Sequence, residues 1–460
     1  MSKSKSVSNE AINKILGKKV WPSLISQNNG NNAEELRLNQ MINLSSERLR
    51  RERNYSRDIG VTESFYCAIG PILSIAQLFG VFPVAGIRSS SPSKLRFKPL
   101  SFLVIYSVFV IIMLLFTTII SVIHTFKVLN AETFQRDGGI GAATVGAVFY
   151  GNSLLGTILF FWLSFRWRSL QCEWRAMERY IDSNSLETPH LRWKFFLISF
   201  VILFLALVEH ILSIVNNAEG YEWNGSNSTF RNFLEMYNSR SHSFIFDTLE
   251  YNFAFGLFIF IISKLATFVW NFTDLFIILV ATGLAERYKC LNKKLILTVA
   301  KYRSRFDWHE LREDYAALSS VVKKVDDHIS PVILLSFANN LYFICLQLLN
   351  GISRFNDSNI FSTIYFFSSF AFLIGRACAV TLLSARIHDQ SKKALPFLYN
   401  CSASNYNIET QRLQYQLTSD DVALTGLRFF SITRNFMLAV AGAITTYEVV
   451  LLQFQGHVRN

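Results

Sequence analysis

Polar side chains within otherwise apolar stretches are the residues of this chain best suited to bind a ligand. They form two stripes at helical spacing, one of Glu209, Ser213 and Asn216 and one of Asn340, Gln347 and Asn350. Carboxylates and amides hydrogen-bond hydroxyl groups, and aromatic rings cover the apolar faces of a cyclic polyol. The pattern predicts a pocket for a small neutral polyol, and its expected ligand-binding residues are Glu209, His210, Gln347, Asn350, Tyr342, Tyr365, Tyr150 and Asn152. Hydrogen bonding between neighbouring helices, worth about 0.6 kcal/mol per bond, is the competing interpretation.

Three charged residues, Lys264, Asp274 and Arg376, lie deeper in the apolar stretches. A charge without a partner costs about 2.5–3.5 kcal/mol at the centre of a bilayer, so we expect these residues to be partnered. Asp274 and Arg376 lie at similar depth on antiparallel helices and are predicted to pair, whereas Lys264 is predicted to extend toward the membrane interface. We interpret all three as structural or gating residues rather than ligand contacts.

Chemistry of other kinds has little support in the sequence. It carries no metal-ligand cluster, no phosphate-binding loop and no Ser/His/Asp grouping at a usable spacing. We therefore expect no catalytic residues, no metal site, no cofactor and no enzymatic activity. None of the six Cys falls in a predicted outside loop, which argues against an ectodomain disulfide.

The composition indicates that these residues lie in a membrane protein. Of 460 residues, 51% are hydrophobic and 42 are Phe, while 17% are charged, against about 25% in soluble domains. This excludes a disordered chain and an ordinary cytosolic enzyme. The net charge of +12 would suggest nucleic acid binding in a soluble protein, but the loop charges described below account for it without that partner.

The apolar stretches predict an all-α membrane protein with seven transmembrane helices, because a helix needs about 20 apolar residues to cross a bilayer. The predicted spans are 101–126, 143–165, 195–215, 251–284, 330–349, 361–385 and 436–454. Residues 64–87 are apolar but carry Gly and Pro near both ends, which favours a re-entrant segment. Residues 1–63 are predicted to form a polar cytoplasmic tail without a signal peptide, preceding a seven-helix domain over 64–460. Residues 285–329 alternate charged and apolar residues at helical steps, which predicts a cytoplasmic helical anchor region.

The loop charges predict the orientation in the membrane. If the N-terminus is cytoplasmic, the inside loops hold 26 Lys and Arg and the outside loops hold 5. This asymmetry places the N-terminus inside and the C-terminus outside. Three glycosylation sequons then fall in outside loops and are predicted to be glycosylated: Asn224, Asn227 and Asn356.

Two other classes of membrane protein are alternatives. A G-protein-coupled receptor also has seven helices, and Glu-Arg-Tyr triplets at 178–180 and 286–288 imitate one of its motifs. The predicted orientation and the absence of Asn-Pro-x-x-Tyr from the last span argue against that class. A small-solute transporter is the other alternative, although the two halves carry no corresponding Gly/Pro-broken segments.

The last predicted span ends in a motif that carries a family resemblance. Thr446-Tyr447 is followed after five residues by Gln453-Phe454 near the C-terminus. Other stretches in the same family pattern are Glu209-His210, FPVAGI at 82–87, WNFTD at 270–274, NNLYF at 339–343 and VALTG at 422–426. Together they resemble the insect gustatory receptors, and specifically the sugar-receptor branch.

The resemblance implies a sugar-gated, non-selective cation channel in the plasma membrane of gustatory neurons. It further implies a homo-tetramer, or a hetero-tetramer with related subunits, whose last helices line a central pore. The pore and gate residues implied in this way are Thr446, Tyr447, Gln453 and Phe454. An apolar ring that closes by dewetting and an amide ring that replaces ion hydration are physically compatible with those roles. Packing of the same side chains against neighbouring helices is the alternative.

Overall fold

The computed structural model describes residues 63–129, 139–182, 189–218, 229–301, 307–354, 360–401 and 406–458, all of which belong to one compact unit, Ile59–Asn460. In these ranges the chain forms twelve α-helices and one 3₁₀-helix, and its extended pairing is limited to two isolated bridges. The predicted all-α class is therefore confirmed. The predicted N-terminal tail and the three sequons lie outside the described residues.

The twelve α-helices of these ranges are numbered along the chain. In chain order they are α1 (Phe65–Leu78), α2 (Phe102–Val128), α3 (Gly139–Asp182), α4 (Leu191–Asn217), α5 (Phe230–Ser241), α6 (Ser243–Phe246), α7 (Phe253–Lys301), α8 (Trp308–Arg354), α9 (Ile360–Lys392), α10 (Leu395–Tyr399), α11 (Ile408–Ser419) and α12 (Arg434–Val458). The 3₁₀-helix Pro92–Lys94 lies between α1 and α2.

Among the described residues, six helices are long and apolar enough to cross a membrane, and they coincide with the first six predicted spans. They are α2, α3, α4, α7, α8 and α9. The seventh predicted span falls in α12, a helix of 25 residues. Side chains from Val450 onward lie outside the described residues, so the crossing by α12 remains a prediction.

The predicted re-entrant segment is a short helix followed by an irregular return. Helix α1 has 14 residues, fewer than the roughly 20 that a crossing needs, and ends at Phe79. Gly80 has a positive φ of 75°, which only Gly adopts readily, and Gln77 donates to the carbonyl of Val84 at 2.6 Å. The segment packs in the protein core, where the Phe65 ring stacks on Trp174 at 3.9 Å. Its re-entry into a membrane remains a prediction.

The predicted anchor region is present as helical extensions of the spans. Helix α7 has 49 residues, about 74 Å at 1.5 Å per residue, so it extends far beyond a hydrocarbon core of about 30 Å. Leu291 and Leu295 on this extension, and Leu311 and Tyr315 on the facing part of α8, are fully buried. The predicted helical character of this region is confirmed, and its apolar residues pack within the chain.

The two Glu-Arg-Tyr triplets meet at one end of the helical bundle instead of acting as a receptor motif. We call this end, which includes the packed extensions of α7 and α8, the base. Arg287, from the second triplet, forms a 3.1 Å ion pair with Glu178 from the first. Glu178 also accepts a 3.0 Å hydrogen bond from the Phe65 backbone N–H, which ties α1 to the base. Glu286 pairs with Lys194 on α4 at 2.6 Å and with Arg386 on α9 at 2.7 Å. The triplets are therefore explained by structural ion pairing.

Candidate ligand pocket

Helices α4 and α9 bring two of the predicted ligand residues together. Glu209 on α4 accepts a 2.9 Å hydrogen bond from the Ser369 hydroxyl on α9. The Tyr365 hydroxyl, one turn earlier on α9, lies within hydrogen-bonding reach of Ser369 and of Ser213 on α4. Glu209 is partly buried, and the contact with Ser369 uses one of its two carboxylate oxygens. This contact forms the first wall of the candidate pocket.

The second wall is built around Lys264 on α7. Its ammonium donates to the Tyr237 hydroxyl at 2.9 Å and lies 4.4 Å from the centre of the Phe260 ring. His210, beside Glu209 on α4, is close enough to Lys264 to interact with it electrostatically. The Tyr237 hydroxyl and the Phe260 ring therefore stabilise the Lys264 charge, and the extension of this side chain toward the membrane interface remains a prediction.

Tyr237 and His242 complete this wall from a region that sequence reasoning treated only as an outside loop. Phe233, Leu234 and Tyr237 are buried at helical spacing on α5, and this amphipathic pattern is the signal that would have revealed the helix. The His242 ring lies 6.0 Å from the Tyr237 ring. Burial, and then the nearby Lys264 charge, lower the pKa of His242 to about 3, so its imidazole is neutral.

Below these walls lies a fully buried polar network that joins three helices. Arg376 on α9 forms a 2.6 Å ion pair through Nε with Asp274 on α7. The contact is ionic rather than a well-aligned hydrogen bond, because the Nε–H has no partner in hydrogen-bond geometry. Asn340 on α8 donates to Asp274 at 3.2 Å, and Asn271 accepts from Arg376. The predicted pairing of Asp274 with Arg376 is confirmed, and Asn340 has a structural partner instead of facing a ligand.

The remaining predicted ligand residues lie in two places. Tyr150 on α3 is fully buried, and its ring lies 6.4 Å from His242, which joins it to the second wall. Tyr342 on α8 instead bonds Thr144 on α3 at 2.7 Å, within a separate apolar cluster. Among the described residues, no hydrogen bond or ion pair joins Asn152, Gln347 or Asn350 to Glu209, so their roles remain predictions.

Several buried polar atoms around the two walls lack a hydrogen-bond partner among the described residues. They are His210 Nε2, Asn216 Oδ1, His242 Nδ1 and the Tyr150 hydroxyl. A buried polar atom left unpaired costs about 1–3 kcal/mol. Four of them beside Glu209 and Ser369 form an arrangement that a molecule rich in hydroxyl groups could satisfy.

The predicted pore residues all belong to α12, which packs against α8 and α9. Thr446 and Tyr447 are exposed on this helix, and the Thr446 hydroxyl donates to the Gly442 carbonyl one turn earlier at 2.9 Å. Exposure leaves their side chains available to a partner subunit, lipid or a pore. The side chains of Gln453 and Phe454 lie outside the described residues, so their pore roles remain predictions.

Within the described ranges, no group of three or more His, Cys, Asp and Glu side chains is arranged to hold a metal ion. The polar clusters described above are instead hydrogen-bond and ion-pair networks between helices. Their contacts position the helices relative to one another.

The fold defines a multi-pass helical membrane protein. The chain superimposes on the insect olfactory receptor OR5 from Machilis hrabei with a TM-score of 0.60 and 14% identity, covering 84% of this chain and 97% of that one. The same receptor in complex with eugenol gives a TM-score of 0.55 over the same shares. At this identity the likeness establishes the fold alone.

Sequence comparison then identifies the family. The family model of the trehalose receptors matches residues 26–460, and the chain belongs to this family. It is 35% identical over 400 residues to the gustatory receptor for sugar taste 64f of Drosophila melanogaster, covering 85% of this chain and 81% of the relative. It is 32% identical over 393 residues to the gustatory receptor 5a for trehalose of the same organism, covering 85% of each. The resemblance to the sugar branch of the insect gustatory receptors is confirmed.

Proposed function

We propose that this chain is a sugar receptor whose ligand binds between α4, α5, α7 and α9 and opens a non-selective cation pore. The observation that carries the proposal is the group of unpartnered buried polar atoms on His210, Asn216, His242 and Tyr150, beside the Glu209–Ser369 contact. A sugar offers many hydroxyl groups and no net charge, so it can satisfy these atoms without adding a buried charge. The relatives named for sugar taste and for trehalose support a sugar as the ligand.

The polar network under the pocket offers a route from ligand to gate. Ser369 and Arg376 lie seven residues apart on α9, which is two helical turns, so they share one face. A ligand that replaces Ser369 as the donor to Glu209 would shift α9, and with it the Arg376–Asp274 pair. Since α9 packs against α12, this shift would bias the last helix. Gating of this kind requires that the open arrangement bind sugar more tightly than the closed one.

We further propose that four subunits, identical or related, surround a pore lined by α12 in the plasma membrane of gustatory neurons. In this arrangement Phe454 forms the apolar constriction and Gln453 a polar ring beside it. Thr446 and Tyr447 lie deeper along the same helix. This part of the proposal is supported by the terminal motif and by the exposure of Thr446 and Tyr447.

The deciding experiment is electrical. The full chain, expressed alone and with a related subunit in a non-gustatory cell, should give a sugar-evoked cation current that persists in excised patches without added nucleotides. A response that vanishes on excision would indicate a G-protein-coupled receptor. Uptake of labelled sugar without current would indicate a transporter. Either result would contradict the channel proposal.

A further inference from the structure

The described part of the chain has a cationic cavity at the end of the bundle opposite the predicted ligand pocket. It measures about 520 Å³, within the roughly 300–1,000 Å³ usual for ligand pockets. Arg96 and Lys98 line it from the segment before α2, and Arg168 lines it from α3. Ser93 and Ser164 are also among the lining residues, which include no carboxylate.

The three cationic side chains that line this cavity make no polar contact within the described part of the chain. Arg96, Lys98 and Arg168 are exposed, and none forms a side-chain hydrogen bond or ion pair with any described residue. Most other cations of the cytoplasmic base are paired, as Arg287 and Lys194 are. Like charges held together repel each other unless an anion lies between them. The arrangement therefore favours the binding of an anion.

The segment that carries two of these cations is held in place by its own contacts. The Ala85 and Arg96 backbones exchange hydrogen bonds of 2.9 and 3.0 Å. The Phe97 ring lies 4.1 Å from the Phe165 ring on α3, so the segment is packed onto the helix that supplies Arg168. Leu95 is fully buried beneath it. The cations thus project from a fixed scaffold, which reduces the entropy that binding must overcome.

An apolar track leads away from the cavity along α2. Phe102, Ile105 and Phe109 occupy one face at i, i+3 and i+7, and each is more than half exposed. Leu100, just before the helix, is 91% exposed. A phosphate group in the cavity would therefore lie at the head of a surface suited to acyl chains. The positive-inside asymmetry places this end of α2 at the cytoplasmic leaflet, where anionic lipids are concentrated.

We propose that Arg96, Lys98 and Arg168 bind the phosphate of an anionic phospholipid of the cytoplasmic leaflet, with its acyl chains along α2. The shared chemistry is a phosphate ester held by guanidinium and ammonium groups. The source is the membrane, because the apolar track begins where the cations end. A bound lipid links the segment before α2 to α3 and thereby stabilises the folded bundle.

The test measures binding of a fluorescent short-chain phosphatidylinositol phosphate to the purified full chain in phosphatidylcholine micelles. Replacing all three cations, R96Q/K98Q/R168Q, should weaken the apparent Kd by about a hundredfold, at roughly one kcal/mol per surface cation. The matched control R88Q/K94Q/R166Q removes the same charge from neighbouring residues that do not line the cavity, and its Kd should be unchanged. The single variant R168Q should weaken binding about fivefold, which guards against misfolding of the triple variant.

Three results would overturn the proposal. Equal weakening in both triple variants would mean diffuse attraction to a basic surface. Unchanged binding in the site variants would place the lipid elsewhere. Competition by inorganic phosphate as effective as that by unlabelled lipid would show a site for free phosphate rather than for a membrane lipid. Unfolding temperature, measured with and without the lipid, should rise for the parent chain and the control but not for R96Q/K98Q/R168Q.

Discussion

Arg376 on α9 and Asp274 on α7 form a 2.6 Å ion pair in the middle of the helical bundle, with both side chains almost completely buried. They lie one layer below the contact between Glu209 and Ser369. The pair therefore links α7 to α9 and places buried charges close to the candidate pocket.

Breaking this pair on one side should be costly. Arg376→Met leaves the Asp274 carboxylate buried without its cation, and we expect a loss of about 3–5 kcal/mol of stability. The measurement is the unfolding temperature of the purified chain together with its surface expression. The double variant Arg376→Met/Asp274→Leu removes both charges and should recover part of the loss. A double variant that is as damaged as the sum of both singles would show that the two residues act independently.

The two adjacent serines of α9 provide a matched test of the pocket. Ser369 donates to Glu209, whereas Ser368 is exposed and bonds the Tyr365 carbonyl of its own helix. Ser369→Ala and Glu209→Gln should each shift the midpoint of the sugar dose–response several-fold, because a carboxylate hydrogen bond is stronger than its neutral replacement. Ser368→Ala should leave the midpoint unchanged at equal surface expression. Identical midpoints for all three variants would remove this contact from the ligand site.

Acid should destabilise the chain through His242. Its pKa of about 3 in the folded chain lies below the usual 6.5, so the unfolded chain binds the proton more tightly. Stability is therefore retained above pH 6.5 and lost progressively as pH falls toward 3. His242→Phe keeps a ring against Tyr150 and Tyr237 and removes the titration, so its unfolding temperature should fall less on acidification. His328→Gln is the control, since that ring bonds the Lys324 carbonyl at a more exposed position. Equal acid sensitivity in the parent chain and His242→Phe would contradict the prediction.

The stability of the base should depend on the Glu178 carboxylate far more than on a neighbouring carboxylate. Glu178 is fully buried between Arg287, Arg175 and the Phe65 N–H, whereas Glu173 pairs with Lys324 at the surface. Glu178→Gln should cost about 3–5 kcal/mol and Glu173→Gln about 0–1 kcal/mol. Thermal unfolding of the two purified variants measures the difference. Similar unfolding temperatures would mean that the Glu178 charge is dispensable.

The last helix should contain the gate. If Phe454 closes the pore by excluding water, Phe454→Ala should raise the sugar-independent current, because the smaller side chain leaves a gap that water can enter. Gln453→Ala should instead change conductance or cation preference, since it removes polar contacts and leaves the apolar ring. Patch recordings with cation substitution separate the two effects. Normal gating without leak in Phe454→Ala would move the constriction one turn inward, to Val450 or Leu451.

The sequence by itself determined the membrane class, six of the helices and the expected pairing of two intramembrane charges. It could do so because these properties are local or obligatory: an apolar stretch of about 20 residues in lipid must satisfy its backbone as a helix, and a buried charge must find a partner. The terminal motif and the other short stretches also carried the family resemblance.

Only the tertiary structure decided which helix faces meet. Glu209 and Ser369 are 160 residues apart, and nothing in either stretch specifies the other as its partner. Helix α5 brings Tyr237 to Lys264, a contact that neither stretch of sequence specifies. The ion pair between Arg287 and Glu178 likewise joins distant parts of the chain, and neither local sequence specifies it. Long-range partners depend on the rotation and offset of packed helices, and those are set by the sum of many side-chain contacts rather than by any local pattern.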